Sequence, residues 1–347
     1  MSALLLLAAG TPSFVLAVEV PGLFSAEVQF DNEAENPREA AYRAALIAVL
    51  SRVSGSELAS DDEAIDALFP VPAAYVTQFR PGDEPDSLWV SFDDEALERV
   101  LRASGHTIWG ADRPLTLVWV AVDWGQGERE ILAAGDDDRS PQEARSIDRD
   151  RLLRERILEM ADQRGLPIAF PLLDTTDLQS VTFSDIWGGF DDRVIDASRR
   201  YGTNSVLIGR VRSESSQPSR WTYIIGDQLQ SWLGSPEQVV TQVADVLAAE
   251  FGVGGDAPLR TVEVRVGGIQ TISAYGSLED ILSDVSLIEN FRVAGVSGDV
   301  VSYQVRVRGG ADRLKRALLI AGLLEQSEPE EYTGFDAPLA LEFFFSP

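Results

Sequence analysis

The stretch that most constrains the fold is "PLTLVWVAVD", Pro114 to Asp123, an apolar run closed by an acid. A strand with one wet face alternates apolar and polar residues. An unbroken run needs cover on both faces, as in a parallel sheet between helices. The downstream segments meet that demand. "IDRDRLLRERILEMADQRG" reads as a helix with Leu153, Ile157 and Met160 inward, and "LPIAFPLLD" as the next strand. A β-α-β unit with apolar strands predicts parallel neighbours joined by a right-handed crossover.

The stretch Asp185 to Val211 makes a second such return. Phe190, Val194, Ala197 and Tyr201 recur at helical spacing, Gly202 supplies a left-handed stop, and "SVLIGRV" is a third buried strand. "RWTYIIG" and "QLQSWLG" read as a hairpin. In "SPEQVVTQVADVLAAEFG", Ser235 caps a helix, Pro236 fits its first turn and Gln238 completes a capping box. "WGQGEREILAAGDDDRSPQEAR" shows no period and reads as a long loop.

This unit has two neighbours, so the chain reads as an α+β and α/β multidomain protein. Residues 18–113 form a small N-terminal α+β domain. Its main helix runs from Asn36 as cap, with Glu39 completing a capping box, to Gly55, and "AAYVTQFR" pairs with "SLWVSFD". Residues 114–252 are the central α/β domain. Glycine-rich residues 253–258 are a linker. Residues 259–347 have the order β-α-β-β-α-β, which predicts a C-terminal ferredoxin-like domain.

Charge narrows the partners. Acidic residues number 56 against 29 basic, a net charge of -27. Such a surface repels phosphate backbones and anionic lipid, so no nucleic-acid partner is expected. Lys315 is the single lysine, which fits a saline habitat or a genome rich in arginine codons. At the N-terminus, "ALLLLAAG" and then "VLA" read as a signal peptide over residues 1–17, cleaved after Ala17. The apolar run falls short of the ~20 residues that span a bilayer, so no stable membrane span is expected after cleavage. The expected location is the periplasm.

Several chemistries lack their residues. With no cysteine, thiolate zinc sites and cysteine nucleophiles are excluded. A zinc site or a serine triad needs histidines, and His106 stands alone without a G-x-S-x-G elbow. Gly125 and Gly127 come directly after a strand, but the third glycine of a dinucleotide fingerprint is Glu130. "GDDDRSP" lacks the spacing of a calcium loop and reads as solvated acid. No metal and no cofactor is expected. Carboxylates offer more. Asp123 and Asp174 each end an apolar strand, so both fall at the carboxyl edge of a parallel sheet, where ligands bind. Trp124, Asp177, Asp185 and Trp187 belong to the same neighbourhood. Two acids there would suit general acid and base work, as in glycoside hydrolysis. The competing reading makes Asp174 a helix cap for "TTDLQSV". Trp187 before Gly188 and Gly189 suits a groove wall or simple packing.

"REAAYRAALIAVLSRVSG", "LPIAFPLLD" with "SDIWGGF" and "ASRRYGTNSVLIGRV", "RWTY" before "QSWLG", and the C-terminal "VEVRVGGI" pattern carry a family resemblance. The chain resembles the bacterial exported proteins grouped as domain of unknown function 2066, over nearly its whole mature length. That resemblance implies a Gram-negative envelope protein and carries over no catalytic residues. The first two domains also distantly resemble periplasmic modules of flagellar and translocation assembly factors, by fold analogy alone.

The function expected is therefore a non-enzymatic accessory or scaffold factor in the envelope, acting by contact with partner proteins of that compartment. The alternatives are a periplasmic hydrolase using paired carboxylates and a soluble small-ligand binder. If the acidic surface is a saline adaptation, unfolding free energy rises as salt goes from about 0.1 M to about 2 M, because added ions screen self-repulsion. Urea titrations across that range check this. A flat response assigns the composition to codon bias.

Overall fold

The computed structural model describes residues 17–33, 35–135, 144–213, 217–226, 228–254, 257–285, 287–320, 324–326 and 340–345. The expected signal peptide, up to residue 16, and most of "GDDDRSP" lie outside them. The described residues build a mixed α and β protein with several sheets and eleven α-helices. None of these helices is long and apolar enough to cross a membrane.

The first unit holds β1 (Ala17–Glu19), β2 (Ser25–Gln29), α1 (Pro37–Val53), α2 (Ser56–Ala59) and α3 (Asp62–Leu68). It continues with β3 (Val76–Pro81), β4 (Ser87–Phe92), α4 (Asp94–Ala103), β5 (Thr107–Ile108) and β6 (Asp112–Pro114). β2, β4 and β3 form an antiparallel sheet, and α1 lays Tyr42, Leu46, Val49 and Val53 against it. Asn36 occupies the N-cap of α1 but makes no side-chain cap bond, so the expected capping box is absent. Pro37 sets the first turn without it.

The central unit holds β7 (Thr116–Gly125), β8 (Glu128–Ile131), α5 (Ala144–Gln163), β9 (Ile168–Ala169), α6 (Thr175–Ser180), α7 (Phe183–Gly188) and α8 (Asp191–Ser198). After these come β10 (Ser205–Arg212), β11 (Ser219–Ile225), β12 (Gln228–Gly234), α9 (Pro236–Phe251) and β13 (Val253–Gly254). The sheet runs β12-β11-β10-β7-β8, with β9 also on β7. β7 lies parallel to β10 and β9 and is buried on both faces. Val118, Val120, Val122 and Trp124 join the core under α5 and α9. Leu117, Trp119 and Ala121 join the core under α7 and α8. Gly209 of β10 faces Trp221 of β11, and any Cβ there would stand 2.5 Å from the indole, so only glycine fits. The expected loop after β7 is partly a strand: β8 folds back through Gln126 and Gly127. Its charged "ERE" concealed it, because an edge strand tolerates charge that an inner strand does not.

The third unit holds β14 (Leu259–Gly267), α10 (Ile272–Asp284), β15 (Ile288–Ser297), β16 (Val300–Arg308), α11 (Ala311–Ile320), β17 (Leu324–Gln326) and β18 (Ala340–Phe345). The sheet order is β15-β16-β14-β18-β17. The extra strand β17 alters the expected order, and β18 slots between it and β14, parallel to β14. Val253–Gly254, in the expected linker, pairs with Thr107–Ile108 of the first unit. The central and third units share one continuous apolar core.

Arg113 joins the first and central units. Its side chain is fully buried and has no carboxylate partner among the described residues. It donates instead to five carbonyls: Gly110 (2.9 Å), Arg164 (3.1 Å), Gly165 (2.7 Å), Arg52 (2.8 Å) and Trp109 (3.0 Å). Arg52 lies in the last turn of α1, and Arg164 and Gly165 come just after the end of α5, so the cation sits at two negative dipole ends. The guanidinium also stacks on Trp109 at 3.8 Å. Burial, with Arg164 and Arg52 nearby, pulls its pKa down to about 9. Arg113→Ala orphans these carbonyls, and the expected loss is about 3 kcal/mol or more of unfolding free energy. Urea unfolding of the variant checks it; a loss within about 0.5 kcal/mol would make the site an ordinary surface position.

Candidate functional site

The parallel pair β7 and β10 ends together at Asp123 and Arg212, which stand in register. This is the carboxyl edge where an open parallel sheet takes ligands. On the face covered by α7, Arg210 and Arg212 of β10, Arg220 of β11 and Leu233 of β12 line a cavity of about 320 Å³ with Trp187, Gln217, Pro218 and Ser219. Arg210, Arg220 and Leu233 form one cross-strand row, so their side chains share this face. Phe183 and Trp187 of α7 stack at 5.2 Å, Arg129 lies over Phe183 at 5.7 Å, and Arg212 lies over Trp187 at 5.2 Å. Arg210 is nearly buried and donates to Ile186 O (2.6 Å), Thr222 Oγ1 (3.1 Å) and Asp191 (2.6 Å). It builds the floor. Arg212 and Arg220 are exposed above it.

The residues singled out from the sequence fall in three places. Asp123 and Trp187 belong to this edge. Asp123 accepts from Gly125 N (3.1 Å) and faces Arg129 at 3.5 Å. Trp124, on the opposite face of β7, is buried under α5 and donates its indole N–H to Asp150 at 3.1 Å. Asp185 is the N3 partner in a capping box with Thr182 at the start of α7 and pairs with Arg193 at 2.7 Å. Those bonds, the Thr182 hydroxyl's foremost, hold its carboxyl below the usual range.

Asp174 and Asp177 form a third cluster. Asp174 caps α6, accepting from Thr176 N and Asp177 N at 3.0 Å each. Arg200 grips both of its oxygens, at 2.6 and 2.7 Å, and holds its pKa well below the carboxylate range. Arg200 also reaches the fully buried Asp177 at 2.8 Å. Asp177 accepts from Leu173 N (2.9 Å) and from the Tyr201 hydroxyl. Burial, and donation to Asp177, raise Tyr201 to about 12. Leu172 N donates to the same hydroxyl at 2.8 Å. The cluster pins the turn around Leu173, which carries a left-handed φ of 51°. Its carboxylate oxygens already have donors, and neither acid has a bond to Asp123. Tyr201 is both the last residue of the predicted helix stripe and the anchor of this turn.

Sequence reasoning missed two features. One is the row of Arg210, Arg220 and Leu233, whose members lie on three strands and converge only through register. The other is a carboxyl pair between β8 and α5. Asp150 sits partly buried beside Glu130, and burial, with Glu130 next to it, pushes its pKa up to about 7. Glu130 stood in the stretch read as loop, so nothing in the spacing announced the pair. Among the described residues no group of three or more histidines, cysteines or acids could hold a metal ion. His106 lies in the turn after α4, where its backbone N–H bonds Leu101 O at 3.0 Å. Gly125 and Gly127 belong to the β7–β8 hairpin, and no helix starts directly after them, so they form no dinucleotide cradle.

Comparison with known families corrects the family expectation. Residues 17–110 match the model of a different family, a domain of unknown function (DUF8605), and domain of unknown function 2066 does not match. The segments that suggested the latter are dominated by packing positions. "REAAYRAALIAVLSRVSG" is α1, and its shared pattern is the stripe that any such helix lays on a sheet. No curated protein and no solved structure matches the chain.

The Asp150 pair has a pH consequence. A carboxyl raised to about 7 from an ordinary value near 3.8 keeps a proton that the unfolded chain releases. Its contribution is present below about pH 4 and is lost as pH rises through about 7. Asp150→Asn removes that titration while still accepting from Trp124. Its stability relative to the wild type should therefore climb between about pH 4 and about pH 7. Thermal unfolding across that range checks it, and parallel curves for the two proteins would refute the shared proton.

Proposed function

We propose that the protein is a non-enzymatic accessory or scaffold factor of the bacterial envelope that binds a partner protein by strand addition to the β12 edge. One observation carries the reading: β12 is an unguarded edge. Natural sheets blunt their edges with charge, proline, bulges or covering elements. Every other edge strand of three or more residues in the larger sheets carries charge: Glu27 in β2, Arg80 in β3, Glu128 to Glu130 in β8, Glu289 and Arg292 in β15, and Glu325 in β17. The ladders of β3, β8 and β15 are also broken by register shifts.

β12 differs on each count. "QLQSWLG" holds no charge and no proline in a chain of net charge -27. It pairs with β11 over seven residues without a shift, and among the described residues no strand pairs with its outer side. Leu229 and Leu233 are 59% and 65% exposed on one face. A strand laid along this edge would satisfy the free backbone groups and bury leucine area worth about 1.5 kcal/mol or more per side chain.

The envelope location rests on the sequence of the first seventeen residues, and "ferredoxin-like" is our reading of the third unit, with β17 and β18 as its departures. The hydrolase alternative draws less support, since Asp174 is taken up by the α6 cap and Arg200. Two edge lysines provide the test. Leu229→Lys with Leu233→Lys should leave the circular dichroism spectrum unchanged and abolish crosslinks from a photoreactive residue at position 231 to an envelope protein. Undiminished crosslinking by the folded double variant would remove β12 from the interface.

A further inference from the structure

The arginine row beside β12 specifies what the added strand carries. We propose that the segment laid on β12 presents an aspartate or glutamate to Arg220, at the cavity that Arg212 and Trp187 also line. This inference rests on the strand-addition reading and names the chemistry of its partner.

Register and charge together support it. Residues opposite one another across strands share a face. Arg210, Arg220 and Leu233 are such a row, and a residue opposite Leu233 on an added strand would extend it. Strands lie about 4.8 Å apart, so that residue would stand about 10 Å from the Arg220 backbone, within the combined reach of a guanidinium and a carboxylate. Leu233 already lines the cavity, so the cavity reaches the edge strand β12.

The cavity holds more positive charge than its surroundings balance. Asp191 belongs to Arg210, and Asp123 faces Arg129. Among the described residues neither Arg212 nor Arg220 has an ion-pair partner. In an acidic chain most arginines find a carboxylate, as Arg43, Arg156, Arg193 and Arg200 do. Two that do not, flanking a cavity at a sheet edge, are left for an anion from outside. Arg212 lies over the Trp187 ring at 5.2 Å, a contact that leaves its charge unneutralised. A second copy of this chain is a poorer occupant, because two chains of net charge -27 repel one another. Glu214, between β10 and β11, lies outside the described residues and enters the test as a variant.

The probes are fluorescein-labelled eight-residue peptides alternating valine and threonine, with a central threonine replaced by glutamate, glutamine or lysine. Anisotropy is measured with the mature chain in about 0.1 M salt. The glutamate peptide should bind about tenfold or more tighter than the glutamine peptide, as one charge-assisted contact provides. The lysine peptide should bind weakest. Arg212→Gln with Arg220→Gln should bring the glutamate peptide to the level of the glutamine peptide, leaving the latter unchanged. Glu214→Gln should preserve or increase the glutamate preference. Equal affinities for all three peptides in the wild type would overturn the acidic recognition and leave strand addition standing. Failure of every peptide to bind, with β12 amide exchange unaltered, would overturn both. A dimer in sedimentation that Leu229→Lys with Leu233→Lys dissociates would replace the peptide partner by a second copy.

Discussion

A single buried guanidinium sets how the first two units meet. Arg113 lies between the end of α1 and the end of α5, where unpaired carbonyls of both helices point inward. A buried cation without a carboxylate is costly unless its donors are all met. Here carbonyls meet them at two helix ends of negative dipole. Neither unit alone could hold the charge. Neighbouring bonds extend the seam: Asp245 of α9 accepts from Ser56 N (3.2 Å), Ser56 Oγ (2.7 Å) and Arg164 (2.6 Å). Arg313 of α11 then donates to Gly252 O at 2.8 Å, carrying the same device to the third unit.

This framework fixes β7, and β7 fixes the site. Its alternate residues feed two separate cores, so the strand can neither slip nor tilt without exposing one of them. Its parallel register with β10 brings Asp123 level with Arg212, and the meander β10–β11–β12 carries that register outward through Arg220 to Leu233. The cavity wall and the free edge are thus parts of one rigid ladder. Under the proposed strand addition, a site on such a ladder would need little reorganisation, which lowers the entropy cost of binding.

Much of this was legible in the sequence, for identifiable reasons. The apolar runs of β7 and β10 admit one environment, and the Ser235–Pro236–Gln238 start of α9 has the geometry that its residue types dictate. The rest was hidden because it depends on partners distant in sequence. Arg113 is one arginine among many until α1 and α5 converge on it. β8 is masked by its charges. Asp174 shows the limit from the other side. Its place after an apolar strand suited a helix cap better than a catalytic acid while admitting both, and the amides of Thr176 and Asp177 with Arg200, 26 residues on, take it up as a cap.

The charge pattern then acquires a physical meaning. Twenty-nine basic residues against 56 acidic ones leave few cations for the surface, and the structure uses many of them at fixed points: Arg113 in the seam, Arg200 in the α6 turn, Arg210 under the cavity. The acidic excess keeps other acidic proteins away from most of the surface by long-range repulsion. A local surplus of guanidinium beside one uncharged edge reverses that sign in a small area. Approach elsewhere is disfavoured, so under the proposed strand addition the acidic background would itself sharpen the preference for that edge.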